Sequence, residues 1–159
     1  MPDRDRDDQG RAQNARPRDG LGRPMPHGST GVERIDEDMV LEPAESLRQA
    51  QELFDDGRPF HAHEVLEAAW KSSPEGERGL WKALAQLAVG VTHLRRGNPT
   101  GAASLLRRAR DGIGPFAEHP PHSIAASRLV AYSSTLADKV EQHGIDAVGE
   151  DELSPDLAG

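Results

Sequence analysis

The sequence predicts an all-α protein: a compact helical bundle made of two repeated helix hairpins plus a C-terminal helix. Three observations carry this. Apolar residues recur at helical rather than alternating spacing from about Pro43 onward. Each such stretch is bounded by helix start and stop residues, notably Pro and Gly. The third is an internal repeat at a shift of forty residues, which superposes Gly57 on Gly97, Pro59 on Pro99, Ala62 on Ala102, Leu66 on Leu106 and Ala69 on Ala109.

The elements follow in order. Residues 1–42 are rich in Arg, Asp, Gly and Pro and nearly empty of large apolar side chains, so they are expected to form a disordered N-terminal tail. A translation start at Met25 instead of Met1 would shorten it. A helical domain is expected over 43–144. Its first helix follows Pro43, sets Leu47, Ala50 and Phe54 on one face and stops at Gly57. Pro59 starts the second, with Ala62, Val65, Leu66 and Ala69 inward. Ser72 with Glu75 reads as a capping box for a third helix that runs to Arg96. Its circumference is mostly apolar, which predicts a central, buried position. Asn98 caps and Pro99 starts a fourth helix, and a fifth is expected from about Ser123 to His143. Residues 145–159 are expected to be an acidic flexible tail.

Composition excludes several function classes. There are no cysteines, hence no disulfides, thiolate metal sites or cysteine nucleophiles, and the expected compartment is cytoplasmic. A net charge of −8 opposes non-specific binding of nucleic acid or anionic membranes, and no apolar run is long enough to span a bilayer. The arginines 95, 96, 107, 108 and 110 form a local basic cluster, but no aromatic residues are interleaved for stacking, so nucleic acid is not an expected partner. His119 and His122 lie in the connection before the fifth helix and receive no role.

The repeat also filters for function. Features shared by both copies are explained by packing a hairpin; features present in one copy need another reason. In "FHAHEVLEAAW", residues 60–70, His63 falls on Ala103, Glu64 on Ser104, Glu67 on Arg107 and Trp70 on Arg110. On a helical wheel His63, Glu67 and Trp70 form a row at one margin of the apolar stripe, while His61 and Glu64 point further out. Gln86 and His93, seven residues apart on the buried third helix, share a side and need polar partners. The expectation is one polar pocket of His63, Glu67, Gln86 and His93 roofed by Trp70.

The segments "FDDGRPFHAHEVLEAAW" and "QLAVGVTHLRRGNPTGAASLLRRA" resemble the bacterial helical family catalogued as domain of unknown function 309. The resemblance covers about Leu47 to Ile113 and rests on His-Glu, a later Glu-x-x-Trp, a Gln and His-x-x-Arg-Gly-Asn. It implies an all-helical bundle and no established activity. Residue by residue it points to His63, Glu64, Glu67, Trp70, Gln86, His93, Arg96, Gly97 and Asn98.

Two functions from different classes follow. One is a non-enzymatic binding or scaffold domain, in which hairpins resembling tetratricopeptide units hold an unknown protein or small-molecule partner at His63, Glu64, Glu67, Trp70, Gln86, His93 and Arg96. Phe60 and Trp81 are candidate anchors or core residues. The other is a metal-dependent, hydrolase-like enzyme in which His63, Glu67 and His93 bind a divalent cation. Against it, "HEVLE" places Glu67 where a zinc protease helix has its second histidine, and no Glu-x-x-His of di-iron bundles occurs. No catalytic residue is assigned, and no cofactor other than such a metal is expected.

Overall fold

The computed structural model describes residues 41–159, so the expected N-terminal tail lies outside the described residues except for its last two positions. Five α-helices follow one another: α1 (Pro43–Asp55), α2 (Pro59–Ser72), α3 (Arg78–Arg95), α4 (Pro99–Ile113) and α5 (Ala126–His143). Short 3-10 turns occupy the α2–α3 and α4–α5 connections and the segment after α5, and no strand is present among the described residues beyond an isolated bridge between Ile124 and Ala158. The all-α expectation holds. The helices pack in chain order, α1 on α2, α2 on α3, α3 on α4 and α4 on α5.

α3 is the middle of the bundle because its sequence leaves it no other place. Leu80, Trp81, Ala83, Leu84, Ala85, Leu87, Ala88, Val91 and Leu94 are all buried, over most of the circumference of the helix, while Lys82, Gln86, Val89 and His93 form a less buried strip. The amphipathic helices each turn one stripe inward. α1 contributes Leu47, Ala50 and Phe54, α2 Val65 and Leu66, α4 Leu106 and Ile113. Phe60 and Trp81, at 6% and 1% exposure, are therefore core residues and not open anchors.

The two interhelical turns have the same backbone geometry. Gly57 and Gly97 both adopt φ +76°, a left-handed conformation that an L side chain resists, and each donates its N–H to the carbonyl three residues back, Phe54 and Leu94. The following N–H groups of Arg58 and Asn98 reach Leu53 and His93 in the same way, at 2.8 and 2.9 Å. Pro59 and Pro99 then open the next helices, where the missing proline N–H costs nothing.

Three expectations are corrected. Ser72 is the last residue of α2, where its hydroxyl donates to the carbonyls of Ala68 and Ala69, so it does not cap α3. A 3-10 turn at Glu75–Glu77 intervenes and α3 begins at Arg78. α5 begins at Ala126, not Ser123, because His122 and Ser123 take left-handed backbone angles that end a separate short turn. Residues 145–159 are not a loose tail: Leu153, Pro155 and Leu157 are buried and tie the end of the sequence back to the bundle. Their alternation was masked by the polar residues between them, Ser154 and Asp156, and by the acidic run 150–152 before them.

Candidate functional site

The site is built on the seam between α2 and α3. Two cation–aromatic contacts set its register: Arg96 lies over the Phe60 ring at 5.8 Å, and Lys82 lies over the Trp70 ring at 5.6 Å. The start of α2 thus faces the end of α3, and the two helices run antiparallel. At 1.5 Å per residue, this register brings His63 within about one turn of the level of His93, and Glu67 within about one turn of Gln86. The four residues of the expected polar pocket therefore fall at matching heights along one seam, with Trp70 and Arg96 at its two ends.

Burial is uneven along the row. His63 is 4% exposed, whereas Glu64, Glu67, Trp70, Gln86 and His93 are half-buried and Arg96 is exposed. Phe60 explains part of this, its ring centroid standing 5.6 Å from that of His63. His61 departs from expectation. It does not point out to solvent but is also 4% exposed, edge-on to Phe60 at 6.2 Å. α2 is packed by α1 on one side and α3 on the other, so its buried arc is wider than its apolar stripe.

His93 has its orientation fixed by a residue outside the expected pocket. Asn98 caps α4, its Oδ1 accepting from the Gly101 N–H at 3.0 Å, and this leaves its Nδ2 pointing at His93 Nδ1, 3.1 Å away. An amide nitrogen only donates, so Nδ1 is the acceptor and the neutral ring carries its proton on Nε2. Gly101 is required by the same arrangement: a Cβ there would stand 2.7 Å from Asn98 Nδ2 and 3.1 Å from His93 Cε1. The signal was present in the His-x-x-Arg-Gly-Asn spacing, but the sequence shows only the cap.

This geometry bears on the metal reading. Histidines that ligate through Nε2 normally donate their other N–H to an oxygen, and His93 Nδ1 faces a donor instead. Among the described residues no group of three or more His, Asp and Glu side chains that could hold a metal ion is formed, so His63, Glu67 and His93 do not constitute one.

A second polar cluster lies at the other end of α3. The Glu77 carboxylate accepts from Trp81 Nε1 at 3.2 Å and is 2.9 Å from His122 Nε2, and the Trp81 and His122 rings are 6.2 Å apart. Burial acts to raise the Glu77 pKa, but the His122 and Trp81 hydrogen bonds and the His122 charge outweigh it, leaving the carboxyl below its usual range. His122 thus has a structural role that its place between prolines concealed: it ties the α4–α5 connection to the start of α3. The basic cluster is largely engaged by carboxylates. Arg107 pairs with Asp138 and Glu141 of α5, Arg95 with Glu150 and Arg110 with Asp111.

An all-α fold of packed helices defines a class of protein without defining a chemistry. Residues 47–105 match the family model described as "Domain of unknown function (DUF309)", and over that segment the resemblance read from the sequence is shown. The match spans α1 from Leu47 onward, α2, α3 and about the first half of α4, which includes every residue of the seam. A curated relative, "Uncharacterized protein YpuF" of Bacillus subtilis (strain 168), is 44% identical over 48 residues, or 30% of this chain and 28% of that protein. The chain therefore spans well under half of that relative's length. No solved structure matches. No helix among the described residues is long and apolar enough to cross a membrane.

Proposed function

We propose that this is a non-enzymatic binding module of the DUF309 type, and that the α2–α3 seam carrying His63, Glu64, Glu67, Trp70, Gln86, His93 and Arg96 is where it takes a protein or small-molecule partner. The observation that carries this reading is the gathering of chemistry at one seam. His63 and Glu67 of α2, which the repeat replaces with Ala103 and Arg107, fall at the heights of His93 and Gln86 on the antiparallel α3, flanked by an aromatic ring at one end and a guanidinium at the other. Half-buried polar groups of this kind orient a ligand, and rings at the rim supply contact area. Helical hairpins resembling tetratricopeptide units use such faces for binding.

The test uses Glu67→Gln, which alters the half-buried part of the row, and Arg96→Gln, which removes the exposed guanidinium from over the Phe60 ring. A partner recovered by the wild-type chain and lost by both variants, with melting temperatures within a few degrees of wild type, supports the reading. Recovery of the same partners by all three chains overturns it.

The burial of His63 favours a second reading, in which the row is a docking network that fixes how α2 sits on α3. On that reading the variants lose stability and lose no partner. The metal-dependent alternative requires His93 to give up its arrangement with Asn98.

A further inference from the structure

Residues 150–159, a 3-10 turn at Glu150–Leu153 followed by an extended stretch, are held as a bound peptide is held. Along 153–157 the side chains alternate: Leu153, Pro155 and Leu157 are buried, whereas Ser154 is only half-buried and Asp156 is exposed. That period of two is the mark of an extended segment laid on a surface. Its backbone is read by the bundle. The Gln51 side chain of α1 donates from Nε2 to the Pro155 carbonyl at 2.8 Å and accepts at Oε1 from the Leu157 N–H at 2.9 Å. On the other side Ala125 N–H donates to the Leu157 carbonyl at 2.9 Å, and Gly159 N–H donates to Ser123 O at 3.2 Å. Tyr132 of α5 donates its hydroxyl to the Glu152 carbonyl at 2.6 Å.

Charge follows the same division. Glu150 meets Arg95 at 2.7 Å, Glu152 meets Lys139 at 2.8 Å and Asp156 stands 3.9 Å from Arg128. Main-chain bonds give such an arrangement affinity, alternate pockets give it register, and flanking cations select an acidic sequence. A cleft of about 430 Å³, lined by Arg128, Tyr132, Thr135, Glu152 and Pro155 among others, runs beside the segment along α5.

We infer that the surface between α1 and α5 is a groove for an extended acidic peptide with apolar residues at alternate positions, and that residues 150–159 are its occupant in cis. A partner segment of the same pattern competes for it. This groove is separate from the α2–α3 seam, and apart from Gln51 and Arg95 the residues named in it lie outside the segment matched by the family model.

The test is binding of a fluorescein-labelled peptide of residues 149–159 to full-length protein. The double variant Leu153→Ala/Leu157→Ala, which weakens the cis occupant, should bind the peptide at least tenfold more tightly than wild type. Adding Gln51→Ala should reverse most of that gain, and a peptide with its apolar residues shifted by one position should not bind. A folded double variant that binds no peptide, or binds it independently of Gln51, overturns the inference. A concentration-dependent dimer of the wild-type chain that the peptide does not dissociate makes a second copy the occupant and also overturns it. Should the double variant fail to fold, amide exchange on the wild-type chain decides. The Leu157 and Gly159 amides should exchange at least tenfold faster than those of α3, through local release, and equal rates mean that the segment is inseparable from the core.

Discussion

Asn98 holds His93 while capping α4: one amide group serves both, its oxygen on the Gly101 N–H at 3.0 Å and its nitrogen 3.1 Å from His93 Nδ1. The cap decides which way the amide faces, and the amide decides where the imidazole proton sits. Asn98→Asp should keep the cap, since aspartate caps as well as asparagine, but place an acceptor against Nδ1. Nitrogen NMR of His93 should show the Nε2–H tautomer in the wild type and the Nδ1–H tautomer in the variant. Asn98→Ala should lower stability by about 1 kcal/mol through the lost cap alone.

If the seam is a network and not a ligand set, the purified protein should retain no stoichiometric metal, and added divalent cations should leave its melting temperature unchanged. His63→Ala with His93→Ala should cost roughly 1 to 3 kcal/mol for each buried polar group whose partner is removed. Metal analysis together with thermal melts checks both statements. Bound metal that disappears in the double variant would restore the metal-dependent reading.

The matching turns predict matching costs. Gly57→Ala and Gly97→Ala each force a Cβ into φ +76°, so each should destabilise by about 1 kcal/mol; the Cβ meets nothing within 4 Å at Gly97 and only the Arg95 guanidinium, at 3.5 Å, at Gly57. Chemical denaturation of the two variants should give losses that agree within error, because the strain is local and the geometry is shared.

Acid should loosen the molecule at two identified places. Glu152 is held below its ordinary value of 4.5 by the Lys139 hydrogen bonds first and by the Gly149 N–H second. Glu77 is also lowered from 4.5, for the reasons given above. A carboxyl whose folded pKa is depressed adds stability that is complete above the unfolded value and disappears as pH falls through the folded one. The melting temperature should therefore be nearly flat from about pH 7 to 5 with respect to these groups and fall below about 4.5. Glu77→Gln and Glu152→Gln should each flatten that fall, and a melt series in pH reads it directly.

Ser133 is fully buried on α5, and its hydroxyl has no hydrogen-bond partner among the described residues. Ser133→Ala removes an uncompensated polar group at nearly constant volume, so it should stabilise the protein by about 1 kcal/mol in denaturant unfolding. A loss of stability would mean that the hydroxyl is satisfied in solution.

By itself the sequence determined the helices and their order. Prolines at helix starts, glycines at left-handed turns and apolar residues at helical spacing are local signals, and each acts within a turn or two of its own position. The repeat added that Gly57 and Gly97 make the same turn, and the mostly apolar circumference of α3 put it at the centre. His63, Glu67 and Trp70 were singled out by the sequence because the repeat carries Ala103, Arg107 and Arg110 at their positions.

Only the tertiary structure decided how those residues are used. Whether His61 is wet or buried depends on α1 and α3 closing over both margins of α2, which no single helical wheel contains. The tie from Asn98 to His93 depends on a turn folding back, and His122 acquires Glu77 across 45 residues of sequence. The final segment is the clearest case. Its composition is that of a solvated acidic tail, and its place is set instead by Gln51, more than a hundred residues earlier, reading its backbone. Backbone recognition leaves no trace in side-chain patterning, so it becomes visible only when the groove that performs it has been assembled.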